Sequence, residues 1–231
     1  MKPAFWARRA HKWIALVIGV QALLWMLSGV YMTVISIDII HGDHLAHAGA
    51  KPLSASGPLI DSDALAQQYA GLTSFRLKRF MGDAVYELHQ ADTITLIDAR
   101  SGVRLSPLNE RTARQLAQSL YTGDAPILKT ELVTEAPQEV GGAPVPMWRV
   151  EFADNSESTL YLSPQTGELI AKRHDLWRWF DFLWMFHIMD YEERADVNNT
   201  LLRVAASLGL IFALSGVWLL FYSFSKKRRS A

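Results

Sequence analysis

The chain contains no cysteine among its 231 residues. Disulfide scaffolds, thiol catalysis, iron–sulfur clusters and zinc sites built on thiolates are therefore excluded. The chain also has no basic excess, because 23 basic residues balance 23 acidic ones, and this argues against a nucleic-acid-binding protein. It has no nucleotide-binding fingerprint, no nucleophile elbow and no recognisable motif of paired catalytic acids. Half of the residues are apolar, so it is not a disordered protein.

Charge is segregated along the chain although its sum is zero. The tails 1–12 and 226–231 each carry four basic residues and no acidic residue, which leaves 15 basic against all 23 acidic residues between them. Inside the tails lie two uncharged runs, 13–37 with 25 residues and 204–225 with 22. Each exceeds the roughly 20 residues that a membrane-spanning helix needs. We therefore predict transmembrane helices at 13–40 and 200–225.

The basic tails indicate the orientation of these helices. Lys and Arg close to a span keep that end in the cytoplasm, whereas a long loop crosses largely regardless of its charge. Both termini should be cytoplasmic, and the region between the spans should be periplasmic in the inner membrane of a Gram-negative bacterium. Ala46-His47-Ala48 has the form of a signal-peptide cleavage site, but the first run is too long for a signal-peptide core and ends well before it.

The region between the spans repeats itself. Leu65-Ala66-Gln67 matches Leu116-Ala117-Gln118, and Gly102 stands 65 residues before Gly167, each after a Ser or Thr. The patterns predict two helix-plus-sheet units, 61–105 and 106–172, after a linker at 41–60. In the first unit, the expected helix and strands are 61–69, 75–80, 84–89, 93–98 and 103–105. In the second unit, they are 110–121, 127–134, 147–152, 159–162 and 168–170.

These two units resemble PepSY domains, and the flanking helices resemble the PepSY-associated transmembrane type. The matching segments are Arg9-Ala10-His11-Lys12-Trp13, Leu27-Ser28-Gly29, Ile40-His41-Gly42-Asp43-His44 and Phe182-Leu183-Trp184-Met185-Phe186-His187. The resemblance implies an α+β membrane protein, in which two transmembrane helices flank a periplasmic tandem PepSY-like domain of two helix-plus-three-stranded antiparallel sheet units.

The resemblance also implies a role in bacterial iron acquisition, which includes reduction of siderophore iron with membrane-bound haem. PepSY domains elsewhere are linked to peptidase inhibition. This chain has two spans, so half the helical bundle of the larger reductases is missing.

Histidines are the best candidates for a redox or metal site. His11 lies at the cytoplasmic mouth of the first span, on a face of small residues: Ala15, Ala22, Gly29 and Ser36. The second span has a similar stripe at Ala206, Gly209, Ala213 and Gly216. His11 is either a polar residue in a helix-packing seam or an axial haem ligand. The stripes suggest that the two helices pack together or across a dimer.

A second candidate lies in the aromatic segment 174–191, which is too short to span a membrane. On a helix, Arg178 and Asp181 could pair, while His187 would project on an opposite, bulky face that includes Trp184. The segment should lie at the outer membrane surface or dock on the bundle. His187 is either a packing residue or a haem ligand.

His41, His44 and His47 form a third candidate, spaced three residues apart beside Asp43. On a continued helix they could hold a divalent cation, or one could ligate haem; on a loop they would be an exposed linker. About 45 Å of helix separates His11 from His41, so one haem cannot join them. An outer haem would use His187 with His41 or His44, and an inner haem would use His11 with a histidine of another subunit. His89 and His174 are expected to be surface residues.

The sequence thus predicts a homodimeric inner-membrane protein that binds haem b and acts in electron transfer to periplasmic ferric or siderophore iron. This activity would make it a haem-dependent ferric reductase. It would need the lipid bilayer and a separate, unidentified electron donor, and no nucleic acid. The alternatives are a membrane-tethered binding or regulatory module for a peptidase or signalling partner, and an accessory protein that binds metal through His41, His44 and His47.

Overall fold

The computed structural model describes residues 3–47, 52–53 and 57–223. Lys2, Ala48, part of the predicted 41–60 linker, the end of the second predicted span and the C-terminal basic tail lie outside the described residues. The chain forms two compact units. We call residues 1–36 and 179–231 the membrane unit, and residues 37–178 the central domain.

Six α-helices and seven β-strands follow one another along the described chain. The helices are α1 (Pro3–Val34), α2 (Ile37–Ile40), α3 (Ser62–Gln68), α4 (Glu110–Leu120), α5 (Asp175–Ile188) and α6 (Thr200–Ser223). The strands are β1 (Leu72–Phe80), β2 (Asp83–Gln90), β3 (Thr93–Asp98), β4 (Ile127–Val133), β5 (Met147–Phe152), β6 (Thr159–Leu162) and β7 (Leu169–Arg173).

Helices α1 and α6 are long and apolar enough to cross a membrane, over Phe5–Val34 and Thr200–Phe221. Only 11% of the most apolar stretch of each is buried within the protein. A core helix of a soluble protein would be mostly buried, so lipid is the better explanation for these exposed apolar surfaces.

Helix α1 begins earlier and ends earlier than the predicted span at 13–40. Pro3 is its first residue, a position that suits proline because the first helical N–H has no partner within the helix. The helix ends at Val34, within a run of β-branched residues that lose side-chain freedom in a helix, Thr33 to Ile35. A separate turn of helix, α2, follows at Ile37–Ile40.

The contact between α1 and α6 follows a seven-residue repeat on α1. Its buried and half-buried positions include Ala7, His11, Ile14, Ile18, Gln21, Trp25, Ser28 and Met32. This spacing is typical of helices that cross at a small angle. His11 lies in this contact between the helices, as expected if it is a polar residue in a helix-packing seam. The predicted small residues Ala15, Ala22 and Gly29 are also half-buried, whereas Ser36 is exposed.

The predicted stripes of small residues are only partly correct. On α6, a Cβ added to Gly209 would lie 3.1 Å from Trp25, and one added to Gly216 would lie 3.5 Å from His11. Ala206 and Ala213 are instead exposed. On α1 this contact includes large and polar residues. Gly209 and Gly216 of α6 leave room for two of them, Trp25 and His11.

The first half of the central domain is a three-stranded antiparallel sheet, ordered β1-β2-β3, that packs on α3 through Leu65. The second half is a sheet ordered β4-β5-β6-β7, with Leu116 of α4 in its core. The second sheet therefore has four strands rather than the predicted three. In the first half, the predicted strand at 103–105 forms only an isolated bridge, Arg104 to Ile97, because Ser106-Pro107 ends the pairing at once.

The two halves are structural repeats. The matched leucines Leu65 and Leu116 are 0% and 5% exposed. The matched glycines both adopt a left-handed backbone, with φ +74° at Gly102 and +68° at Gly167. Each glycine N–H donates to the carbonyl four residues earlier over 2.9 Å, at Asp98 and at Ser163. The two turns therefore share one backbone geometry, as expected of the predicted internal repeat.

The first repeat packs on the second through the Ser/Thr-Gly turn of the second. Phe80 lies against the core of the second repeat, and Lys78 Nζ donates to the Thr166 carbonyl over 2.9 Å. A Cβ added to Gly167 would lie 2.4 Å from the Phe80 ring, whereas one added to Gly102 would meet only Ile60, at 3.2 Å. Gly167 is therefore required for close approach as well as for its backbone conformation.

Glu87 is a buried carboxylate beside this contact. It is 3% exposed and accepts hydrogen bonds from Arg76, Lys78 and His89. Burial opposes its ionisation, but these hydrogen bonds and the charge of Lys78 outweigh burial and lower the pKa of Glu87. Glu168 of the second repeat also pairs with Arg76, so the charged network joins the two repeats.

The segment after α2 is packed into the central domain rather than forming a free linker. Ala46 bridges Tyr121, and Thr122 N–H donates to the Leu45 carbonyl over 2.9 Å. His174, predicted to be a surface residue, is 1% exposed. Its Nε2 donates to the carbonyls of Ile39 and Ile40 at 3.0 and 3.2 Å. Burial lowers the pKa of His174.

Candidate functional site

His187 lies in the last turn of α5, within the membrane unit, and its ring is hydrogen-bonded to α1. Its Nδ1 lies 2.8 Å from the Ser28 hydroxyl oxygen. The Ser28 hydroxyl also lies 2.7 Å from the Leu24 carbonyl and 3.1 Å from the Trp25 carbonyl, and either oxygen can accept its proton. The contacts are satisfied together when the hydroxyl donates to a carbonyl and accepts from the ring, an arrangement with the proton on Nδ1 and the lone pair on Nε2.

The end of α5 is fixed by side chains from neighbouring elements. Three successive carbonyls that lack partners within the helix each accept a side-chain hydrogen bond. Gln21 Nε2 donates to Phe186 over 2.9 Å, and Trp25 Nε1 donates to His187 over 2.8 Å. Asn199 Nδ2 donates to Ile188 over 2.9 Å. Because Gln21, Trp25 and Ser28 share one face of α1, this face positions both the backbone and the ring of His187.

The surroundings of His187 favour its neutral form. Burial lowers its pKa, and the Trp184 ring lies nearly parallel to the imidazole with centroids 6.1 Å apart. A neutral imidazole is the form that binds metal ions and haem iron. The C-terminal end of the aromatic segment contacts Gln21 and Trp25 of α1, which is the packing expected of a segment that docks on the bundle.

His11 repeats this arrangement at the other end of α1. Its Nδ1 lies 2.7 Å from the Ser215 hydroxyl oxygen of α6. The Ser215 hydroxyl also lies 2.7 Å from the Phe212 carbonyl. Both contacts are satisfied when Ser215 donates to Phe212 and accepts from His11, with the His11 proton on Nδ1 and its lone pair on Nε2. The Phe212 ring stacks on the imidazole, with centroids 4.7 Å apart.

The two histidine–serine pairs lie at different depths of the bundle. His11 and Ser28 are 17 residues apart on one continuous helix, which corresponds to about 25 Å along its axis. One haem cannot bridge them. The membrane unit therefore presents two separate imidazole nitrogens, each oriented by a buried hydroxyl, with Ser28 0% and Ser215 8% exposed.

The third candidate has a different geometry. The helix ends at Ile40 and Gly42 turns the chain with φ +69°, so His41 and His44 do not continue one helical face. His41, His44 and His47 are exposed, and the His44 ring meets His174 edge-on at 5.5 Å. Among the described residues, no group of three or more His, Asp or Glu side chains is placed to hold a metal ion. The metal site at these histidines stays a prediction from the sequence.

The predicted pair of Arg178 and Asp181 is wrong. Arg178 instead pairs with Glu139 at 3.0 Å, and Asp181 pairs with Arg194. Each residue has a better-placed partner outside α5, so the i,i+3 spacing alone did not decide the pairing. His89, expected at the surface, is partly exposed and is bonded to Glu87 over 2.9 Å.

Sequence reasoning named both histidines but missed the residues that orient them. Ser28 was noticed only as part of a short motif, and Gln21, Trp25 and Ser215 were not singled out. A usable signal was present, because polar side chains in an apolar span usually face a partner helix. Gln21 and Ser28 are seven residues apart, and His11 falls on the same heptad pattern.

Comparison with known proteins agrees with this architecture. A family model described as PepSY-associated TM region matches residues 8–231. No curated protein and no solved structure matches the chain. The matched segment includes both apolar helices, both histidine–serine pairs and the whole central domain. The chain therefore belongs to the PepSY-associated TM region family, as a membrane protein with two candidate spanning helices and an α+β domain between them.

Proposed function

We propose that this protein binds haem b through His187 and His11 and carries electrons to ferric iron in bacterial iron acquisition. The observation that carries the proposal is that Nδ1 of each imidazole lies within hydrogen-bond distance of a buried serine hydroxyl. We infer that each serine accepts the Nδ1 proton, which leaves the Nε2 lone pair to serve as an axial ligand.

The residues around His187 fit an axial haem ligand. Metal-bound histidines almost always donate their other ring N–H to a fixed acceptor, which sets the tautomer and the ring orientation. Ser28 is such an acceptor, and the helix-end contacts from Gln21 and Trp25 hold the backbone of His187 in place. Haem bound here would supply one-electron reduction of ferric iron.

His11 would ligate a second haem at the other depth. A bis-histidine haem needs two imidazoles, so we propose that a second copy of the chain supplies the partner of His11 in a homodimer. His41 or His44 as the partner of His187 stays a prediction from the sequence.

The proposal places both termini in the cytoplasm and the central domain in the periplasm. Arg8, Arg9 and Lys12 lie on the first turns of α1, where basic residues favour the cytoplasmic side. Electrons would then enter from a separate donor and leave toward ferric or siderophore iron on the periplasmic side.

Absorption spectra of the full-length protein, purified in detergent after expression with ample haem, test the proposal. We expect a low-spin haem spectrum that sharpens on reduction with dithionite. His187→Ala should remove one haem contribution and His11→Ala the other, whereas the control His89→Ala should leave the spectrum unchanged. His41→Ala and His44→Ala would identify a second ligand to the outer haem. Absence of haem absorbance in the parent protein would contradict the proposal.

Ser28→Ala tests the orienting hydroxyl separately. We expect haem to stay bound, because Nε2 of His187 is unchanged, and the midpoint potential of that haem to rise, because an imidazole without its Nδ1–H acceptor is a weaker donor. Potentiometric titration measures this shift. An unchanged potential would show that Ser28 does not tune the ligand.

A further inference from the structure

The first sheet of the central domain has an open edge. Its strand order is β1-β2-β3, so β1 pairs with β2 on one side and with no other described strand on the other side. The outward N–H and C=O groups of an edge strand can accept a further strand. β1 is nine residues long, which is long for an edge strand.

A cleft of about 840 Å³ follows this edge. Seven consecutive residues, 76–82, line it. Residues 76–80 belong to β1, and residues 81–82 form the turn to β2. Because successive side chains of a strand point to opposite faces, five consecutive lining residues of β1 favour a cleft at the edge of this strand. The facing wall comes from Leu116 and Leu120 of α4, from Leu169 at the start of β7 and from the turn before it. His47 and Leu53 also line the cleft.

The two walls differ in chemistry. The β1 side presents Arg76, Lys78 and Arg79, and the opposite side includes the acidic residue Glu168. Arg76 and Lys78 are paired with Glu87. Arg79 is exposed and forms no ion pair with any described residue, and its Nη1 lies 3.5 Å from the Pro52 carbonyl. The cleft thus combines one uncompensated cation with a wall of leucines.

We propose that this cleft binds an extended acidic segment of a partner protein, which adds as a strand to the outer edge of β1. Main-chain hydrogen bonds to β1 would supply affinity, and alternate side chains would supply specificity. Side chains on one face of the added strand would contact Leu116, Leu120 and Leu169, and an acidic side chain would pair with Arg79. The stretch 76–80 offers about 16 Å of edge, which accommodates a segment of five residues.

This inference does not depend on haem, because all the residues that line the cleft belong to the central domain. A membrane-anchored domain with such an edge can recruit or sense a second protein on its own side of the membrane. The acidic partner segment is defined by charge and backbone conformation rather than by a single sequence.

Fluorescence anisotropy with the full-length protein in detergent tests the proposal. The probe is the fluorescein-labelled peptide Val-Glu-Leu-Asp-Val-Glu, and the matched control is Val-Lys-Leu-Lys-Val-Lys. We expect the acidic peptide to bind at least tenfold more tightly than the basic one. Methylation of alternate backbone nitrogens should weaken binding tenfold or more, because each lost main-chain hydrogen bond contributes about 1 kcal/mol.

Arg79→Glu should weaken binding of the acidic peptide about fivefold or more, because it replaces an attraction with a repulsion. Arg111→Glu, a charge reversal on the exposed side of α4, is the matched control and should have no effect. Equal binding of the methylated peptide would overturn strand addition. The site would be overturned if Arg79→Glu and the parent protein bound the acidic peptide with equal affinity. It would also be overturned if the parent protein did not bind the acidic peptide, which is the result expected if the protein's own chain fills the cleft.

Discussion

The paired glycines Gly102 and Gly167 allow the contact between the two repeats to be measured. Both have left-handed φ angles and the same backbone hydrogen bond, so replacement by alanine should cost each turn about 1 to 2 kcal/mol of folding free energy. The two sites differ in what the new methyl group meets. At Gly102 it meets only Ile60 at 3.2 Å, whereas at Gly167 it lies 2.4 Å from the Phe80 ring.

Gly167→Ala should therefore destabilise the central domain by a further 1 to 3 kcal/mol or so, the usual cost of overpacking a well-packed contact. Urea titration of the full-length protein in detergent, followed by tryptophan fluorescence, measures both variants. The difference between the two effects isolates the packing of the first repeat on the second, since the backbone cost is shared.

The double variant Gly167→Ala with Phe80→Ala provides the check. Removing the Phe80 ring should relieve the clash, so the double variant should be less destabilised than the sum of the two single variants. Equal destabilisation by Gly102→Ala and Gly167→Ala, together with additive effects in the double variant, would refute the reasoning that Phe80 packs on this turn.

Three other predictions follow from the same structure. Leu116→Asp should unfold the central domain in the same urea assay, because an unpaired buried carboxylate costs several kcal/mol. The control Arg114→Ala loses one hydrogen bond to Thr130 and should cost about 1 kcal/mol. Equal stability of the two variants would place Leu116 outside the core. Because the pKa of Glu87 is lowered in the folded state, its ionised side chain should contribute fully to stability above about pH 4.5, its ordinary pKa. This contribution should be lost as pH falls through the lower pKa of the folded state. The stability of Glu87→Gln should therefore fall less steeply with acid, and an unchanged slope would exclude Glu87 as a source of the acid sensitivity. A periplasm-specific reporter should be active when fused after Gly141 and inactive after Ala231, and activity from the second fusion would reverse the proposed orientation.

Much of the fold could be predicted from sequence because its signals are local. The apolar runs, the alternating strands and the repeated Ser/Thr-Gly turns depend on neighbours within a few residues. Asn109 has a residue type that favours helix caps, and its side chain accepts from Thr112 N–H over 2.9 Å at the start of α4. The fourth strand of the second sheet, β7, was predicted as a short strand at 168–170, although the sheet itself was predicted to have three strands. Its pairing with β6 became visible only in three dimensions.

The candidate site was harder to predict because its contacts are distant in sequence. Ser28 and His187 are 159 residues apart, and His11 and Ser215 are 204 apart. Periodicity can place His11 on a helix face but cannot say which residue of another helix it meets. The small-residue stripes suggested the wrong face for part of the seam, since Ala206 and Ala213 are exposed. Buried partners such as Ile40 for His174 have no sequence pattern at all.

The most direct test of the central claim is electron transfer by the purified protein in liposomes. The haem of the parent protein is reduced with dithionite, excess reductant is removed, and a membrane-impermeant ferric chelate is added outside vesicles whose central domains face outward. We predict rapid loss of the reduced-haem absorbance with matching formation of ferrous iron, and loss of this reaction in His187→Ala. Protein that contains no haem, or haem that stays reduced in the presence of ferric iron, would contradict the proposed function.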